Sequence, residues 1–109
     1  VILLTPFAAD AKDDKTVKFV NAYKEKYKDT PNQFAADAYD AIYTIKAAIE
    51  DANITDASIN ASDLCEKLKS SMTKITFEGV KGTMTWSADV EPTKEPKAMY
   101  IENGSYKAM

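Results

Sequence analysis

The sequence predicts an α/β chain in which one apolar strand leads into three helices and then into short strands. Three observations carry that prediction: a continuous apolar run at Val1-Ile2-Leu3-Leu4, apolar residues recurring every three to four positions through the middle of the chain, and a switch to alternation and turn residues after Thr73. With 109 residues, 45% of them hydrophobic and 28% charged, the chain has the size and mixture of one globular unit able to bury a core.

Val1 to Leu4 is apolar at every position and ends at Thr5-Pro6, which suits a strand buried on both faces, the kind found in parallel sheets. Val1 opens this run with nothing before it to cap or pair with, which reads as a cut edge of a longer protein. Phe7 to Asp14 is small and polar and forms a connection. Asp13 or Asp14 can cap a first helix over about Lys15 to Tyr27, with Val17, Val20, Tyr23 or Lys24, and Tyr27 as one stripe and Phe19 with Tyr23 as a second pair. Lys24, Lys26 and Lys28 crowd its last turn, where cations favour the negative end of the helix dipole, and Pro31 enforces the stop. The second helix runs from about Phe34 to Asp51. Tyr39, Ile42, Ile45 and Ile49 share one face, and six alanines allow close approach on the others, so the helix is expected between a sheet and other helices.

A polar loop over Asn53 to Ala61 precedes a third helix, Asp63 to about Ser70, capped by Asn60 or Ser62 and turned inward along Leu64, Leu68 and Met72. Thr83-Met84-Thr85-Trp86 alternates polar and apolar as a half-buried strand should, after a turn marked by Gly79 and Gly82. Ser87 to Lys97, with Pro92 and Pro96, is a surface loop. Ala98 to Ile101, Asn103-Gly104 and Tyr106 to Ala108 then form a hairpin with Asn-Gly in a type I′ turn.

The charge inventory excludes more than the motifs add. All 14 basic residues are lysines, against 17 acidic residues, and there is no His and no Arg. Imidazole base catalysis, Ser-His-Asp or Cys-His pairs and His-containing metal sites are therefore absent, as is any bidentate guanidinium clamp. A net charge of −3 offers no basic footprint for nucleic acid. Val1 to Leu4 is far too short to span a bilayer. The single Cys65, at helical spacing with Leu64, Leu68 and Met72, allows no internal disulfide and reads as a small packed side chain.

The remaining candidates have plain structural readings beside the chemical ones. Asp10, Asp13 and Asp14 lack the turn glycine of a calcium loop and fit helix capping, so no metal site is expected. Asp37 and Asp40 fall near the start of the second helix, where carboxylates are favourable without catalysing anything. Gly79-x-x-Gly82 lacks the Lys-Ser/Thr of a phosphate loop and opens no helix. Asn53, Asn60 and Asn103 match the glycosylation sequon, a pattern short enough to arise by chance. Trp86 and the tyrosines suit a core as readily as a ligand platform. With no nucleophile–base pair and no metal set, an enzyme is not expected, and no cofactor is implied.

Three segments in order resemble a known family: Phe19-x-x-x-Tyr23-x-x-x-Tyr27; Thr30-Pro31 followed by Ala35-Ala36-x-Ala38-Tyr39-Asp40-Ala41; and Phe77-Glu78-Gly79-Val80-x-Gly82-Thr83-Met84-Thr85-Trp86. Together they look like the closing third of a type I periplasmic binding protein, close to the branched-chain amino-acid binding proteins of ABC importers. The family's usual Gly after the Tyr-rich helix is replaced here by Lys28-Asp29. The resemblance implies the C-terminal fragment of a two-lobed flytrap fold, with three helices and a terminal β-hairpin. Residues 1–10 would be the last parallel strand of one lobe and a hinge crossing, 11–86 the helices and strand covering the other lobe, and 87–109 the return strand and hairpin. It implies capture of a small solute, a branched-chain or related amino acid, outside the cytoplasm, in the periplasm or on a lipid-anchored surface, with an ABC permease as partner. A residue just before the second helix would reach the cleft, which maps onto Gln33 or Phe34, with Asp37 one turn further in. The isolated piece would expose lobe-facing apolar surface and self-associate. The alternative is a small α/β ligand-sensing or protein-interaction module without a transport role.

Overall fold

The computed structural model describes residues 1–109 in the order β1 (Ile2–Thr5), α1 (Asp14–Tyr27), α2 (Gln33–Asp51), α3 (Ala61–Met72), β2 (Phe77–Gly79), β3 (Gly82–Met84), β4 (Lys97–Glu102) and β5 (Ser105–Ala108). Each helix starts on an asparagine or aspartate whose side chain accepts an otherwise unpaired backbone N–H: Asp13 from Thr16, Asn32 from Ala35 and Asn60 from Asp63. These caps settle the alternatives open in the sequence, Asp13 over Asp14 and Asn60 over Ser62. They also lengthen α3, which runs from Ala61 to Met72 where Asp63 to Ser70 was expected. No helix is long and apolar enough to cross a membrane.

The strands form two separate sheets. β2 and β3 make a small antiparallel hairpin, pairing Phe77 with Met84 and Gly79 with Gly82 across the Val80-Lys81 turn. The strand expected to reach Trp86 stops at Met84, and Trp86 makes only an isolated bridge to Pro92. β4 lies between β1 and β5, antiparallel to both. At its far end Asn103 and Gly104 take φ of 49° and 73°, the left-handed pair that a type I′ turn needs.

The principal core is Phe7, Phe19, Val20, Ala36 and Val80, with Ala9, Tyr23 and Ala35 packed against it. It gathers the connection after β1, the inner face of α1, the first turns of α2 and the tip of the β2–β3 hairpin. Phe7 meets Phe19 edge-on at 5.9 Å, and Phe19 stacks obliquely on Tyr39 at 4.8 Å, which fixes α1 against α2. The three-stranded sheet sits to one side. The radius of gyration is 16.4 Å, against roughly 13 Å for a compact chain of this length, in an elongated body of 52 × 31 × 20 Å.

Four expectations about side-chain environment are corrected. The apolar run of β1 does form a strand, but its neighbour is antiparallel β4 and no layer covers its faces: Ile2 and Leu4 are 65% and 73% exposed. On α2 the buried face is Ala36, Asp40, Thr44 and Ala48, and the Ile42 and Ile45 stripe is exposed. The helix turns its small residues to α3 and the hairpin because they allow close approach, which leaves its bulkiest residues outward. On α1 it is Thr16, Phe19 and Val20 that are buried, while Val17 is exposed. Cys65 lies on the outer face of α3 and is exposed. Only 15 of 109 residues are buried, so much of the apolar surface of this chain has no cover within it.

Candidate functional site

The largest well-formed hollow, about 660 Å³, opens where three parts of the chain converge. The end of β1 contributes Leu3, Leu4 and Thr5, the approach to α2 contributes Thr30 to Gln33, and the β4–β5 turn contributes Gly104, Ser105 and Tyr106. The lining mixes apolar side chains with hydroxyl and amide groups and has no charged side chain.

Gln33 is the first residue of α2 and half-buried, and its Oε1 lies 3.2 Å from the Thr5 hydroxyl. Thr5 is itself held by Phe7, whose N–H donates to Oγ1 at 3.3 Å and whose carbonyl lies 3.1 Å from it. Asn32, beside Gln33, accepts the Ala35 N–H at 3.0 Å and so serves the helix. Phe34 is 74% exposed next to the cavity mouth and outside its lining.

Asp37 points away from this cavity, towards the β2–β3 hairpin, where it ion-pairs with the buried Lys81 ammonium. Asp40 lies one turn further on the same side. Its carboxylate, 2% exposed, accepts the Val80 N–H at 2.9 Å and the Lys81 N–H at 3.1 Å. Both donors sit in the hairpin turn, so this one side chain satisfies two buried backbone groups. Gly79 makes the approach possible, since a Cβ there would stand 2.5 Å from Asp40 Oδ2. Asp10 plays a similar part at the other sheet, its two oxygens lying 3.1 and 2.9 Å from the Ala108 N–H.

The structure thus brings Gln33 into the cavity, leaves Phe34 at its edge and ties Asp37 to the hairpin. Thr5, Ser105 and Tyr106 line the cavity unforeseen, because their proximity to Gln33 comes from long-range folding. Asp40 had a weak sequence signal, a carboxylate three residues from Asp37 in an alanine-rich helix. No three His, Cys, Asp or Glu side chains converge as a metal cluster. Four side chains have shifted acidity, Asp13, Tyr39, Lys46 and Asp56, of which Tyr39 and Asp13 lie on the elements that frame the core. Burial, then a hydrogen bond with Tyr43, raise the Tyr39 phenol. Burial alone would raise the Asp13 carboxyl, but the Thr16 hydroxyl and N–H and the Lys97 charge outweigh it and hold it below the usual 3.8.

Comparison with known proteins bears on what this arrangement belongs to. The family model described as periplasmic binding protein matches residues 1–101. A search of curated protein sequences finds no match. Among solved structures, a solute-binding protein of an ABC transporter from R. palustris, in complex with benzoate, superposes with a TM-score of 0.79 at 18% identity, covering 100% of this chain and 29% of that one. A leucine-binding protein from Thermotoga maritima gives a TM-score of 0.74 at 25% identity, covering 100% of this chain and 29% of its own. The branched-chain amino acid substrate-binding protein of Streptococcus pneumoniae, in complex with isoleucine, gives 0.74 at 25% identity, covering 99% and 30%. The chain spans about three tenths of the length of these structures. The helices, the hairpins and β1 together match the α/β flytrap fold of these proteins over that portion, and the chain belongs to the periplasmic binding protein family.

Proposed function

We propose that this chain is the C-terminal part of an extracytoplasmic solute-binding protein that captures a branched-chain or related amino acid and delivers it to the permease of an ABC importer. The observation that carries the reading is the cavity where the end of β1, the start of α2 and the terminal hairpin turn meet. A mixed apolar and neutral polar lining of about 660 Å³ has the size and character of a small-molecule site. Residues 1–10 act as a strand and hinge crossing, 11–86 cover one lobe, and 87–109 cross back. Gln33 is the polar contact at the rim and Phe34 the apolar one, with Asp37 one turn behind them, holding the start of α2 to the hairpin through Lys81. The protein binds and releases without chemistry, and the solute stabilises the closed state by touching both lobes. The protein works in the periplasm or tethered by lipid to the cell surface.

The exposed apolar face of α2 and the uncovered β1 fit this reading, in which the rest of a larger two-lobed protein covers them. They also make the isolated chain self-associate. The deciding experiment is thermal unfolding of the full-length protein with L-leucine, L-isoleucine and L-valine. A ligand at a hundred times its Kd adds about 2.7 kcal/mol to stability. A melting temperature unmoved by all three amino acids at millimolar concentration refutes the amino-acid reading.

A further inference from the structure

We propose that Asn103, in the β4–β5 turn, is a site of spontaneous deamidation through a succinimide, and that its products set a carboxylate and a lengthened backbone at the edge of the cavity this turn shares with β1 and α2. Three observations lead to it. Of the five asparagines in the chain, Asn103 alone precedes a glycine, whose nitrogen no side chain shields. Both Asn103 and Gly104 are exposed. The ladder of the hairpin closes on Glu102 and Ser105, so the Gly104 N–H lies in the turn outside it, where a hairpin opens at least cost. The covalent step needs nothing from the binding reading above; its consequence for capture rests on that reading.

The Gly104 nitrogen attacks Asn103 Cγ and gives up its proton. A new N–Cγ bond forms, the Cγ–Nδ2 bond breaks and ammonia leaves. Water then opens the five-membered imide. Addition at Cγ breaks the new bond and leaves aspartate. Addition at the main-chain carbonyl carbon breaks the old peptide bond and leaves isoaspartate, with the chain running through Cβ and Cγ. In both cases the hydroxyl of the water stays on carbon and its proton goes to nitrogen, so one water is taken up for each ammonia released. The two products differ in what they do to the fold. Asp-Gly suits a type I′ turn as Asn-Gly does, so aspartate keeps the hairpin and adds a negative charge. Isoaspartate adds a methylene to a backbone whose geometry depends on two successive positive φ angles, 49° and 73°. The residues that follow, Gly104, Ser105 and Tyr106, line the cavity, which has no charged side chain of its own. Aspartate therefore alters this wall by charge, and isoaspartate by charge and shape. Asn53 and Asn60 are spared. Asn53 precedes Ile54, and the Asn60 side chain is held in the α3 cap, accepting the Asp63 N–H at 2.9 Å and donating to the Asp63 carboxylate at 2.7 Å.

The test uses the full-length protein, incubated folded at mildly alkaline pH and followed by peptide mass spectrometry. The peptide holding Asn103 is expected to gain the mass of an amide-to-acid exchange, with isoaspartate the larger product. Its rate is expected to rise with pH, because the attacking nitrogen must lose its proton, and to fall in Gly104→Ala, which places a methyl beside that nitrogen. An Asn103 peptide that keeps its mass while a synthetic peptide of the same sequence converts overturns the proposal. Conversion to aspartate alone, the product of direct hydrolysis, overturns it as well. The second readout is calorimetric titration with L-leucine. Asn103→Asp, which carries the charge in an intact turn, is expected within about threefold of wild type, and the chromatographically separated isoaspartate form is expected to bind roughly tenfold more weakly. Equal affinity in the isoaspartate form and in fresh protein overturns the proposed effect on the cavity. A fresh wild-type protein that takes up no L-leucine refutes the amino-acid reading separately, and the mass readout still decides the chemistry at Asn103.

Discussion

Replacing Gly79 with alanine tests whether the Asp40 carboxylate is what holds the β2–β3 hairpin to α2. The added Cβ would stand 2.5, 2.6 and 2.7 Å from Oδ2, Cγ and Oδ1 of Asp40, distances that real methyl groups do not tolerate. Asp40 is 2% exposed but helps line a small cavity of about 260 Å³ beside the hairpin, so the clash is relieved by the carboxylate and the hairpin parting. Parting leaves the Val80 and Lys81 N–H groups, both in buried residues, without their acceptor. Hydrogen bonds to a charged group contribute about 1.5–3 kcal/mol each, so the loss is expected at about 3–5 kcal/mol once partial relaxation is allowed. Asp40→Asn, which keeps one acceptor oxygen, should lose about 2 kcal/mol. The assay is urea unfolding of the full-length protein, followed by a double-mutant cycle. In an Asp40→Ala background the clash partner is gone, and Gly79→Ala should then cost less than about 1 kcal/mol. A Gly79→Ala variant as stable as wild type, or one equally damaging in both backgrounds, refutes the reasoning.

Other consequences are open to measurement. Lys28 closes α1 at φ 59° and Val90 sits at φ 65°, conformations that cost a non-glycine residue about 1–2 kcal/mol, so Lys28→Gly and Val90→Asn should each raise stability by about 0.5–1 kcal/mol in denaturant titrations. Because the folded-state pKa of Asp13 is lowered, its contribution to stability is present above pH 3.8 and is lost as pH falls through the folded value; Asp13→Ser, which still caps the helix, should flatten the stability profile below pH 4 and change little at pH 7. Ile42 is 68% exposed on the uncovered face of α2, so Ile42→Ser should reduce the association of the isolated chain in light scattering without lowering its helix content.

Local chemistry made some elements legible from sequence and left others hidden. The Asn103-Gly104 hairpin could be read because its two positive φ angles are a property of two adjacent residues. The three helices could be read from periodicity and caps for the same reason. The buried face of α2 could not. Its periodic stripe of Tyr39, Ile42 and Ile45 marks a face that wants cover, while the neighbours within this chain pack on Ala36, Asp40, Thr44 and Ala48. Periodicity tells how a helix is striped and not which stripe meets a given neighbour. The site divides in the same way. Gln33 is indicated only by the family resemblance, which maps a cleft residue just before α2 onto Gln33 or Phe34, whereas Thr5 lies 28 residues away in sequence and Val80 lies 40 from Asp40, separations that no local pattern encodes.

The ladder between β1 and β4 has a consequence for the order in which the chain assembles. It pairs Thr5 with Lys97, so forming it closes a loop of about 90 residues. Loop closure of that length costs about 4 kcal/mol in chain entropy, a cost the β4–β5 hairpin, joined by a two-residue turn, avoids. The terminal hairpin and the helical layer therefore form first as separate nuclei, and β1 joins last. Asp10 belongs to the same late step: its carboxylate accepts the Ala108 N–H across 98 residues, a closure as long as that of the ladder, and so reinforces the ladder once β1 has joined. Amide exchange along Ile2 to Leu4 should accordingly be the fastest of any strand in the chain, and faster still once Asp10 is removed.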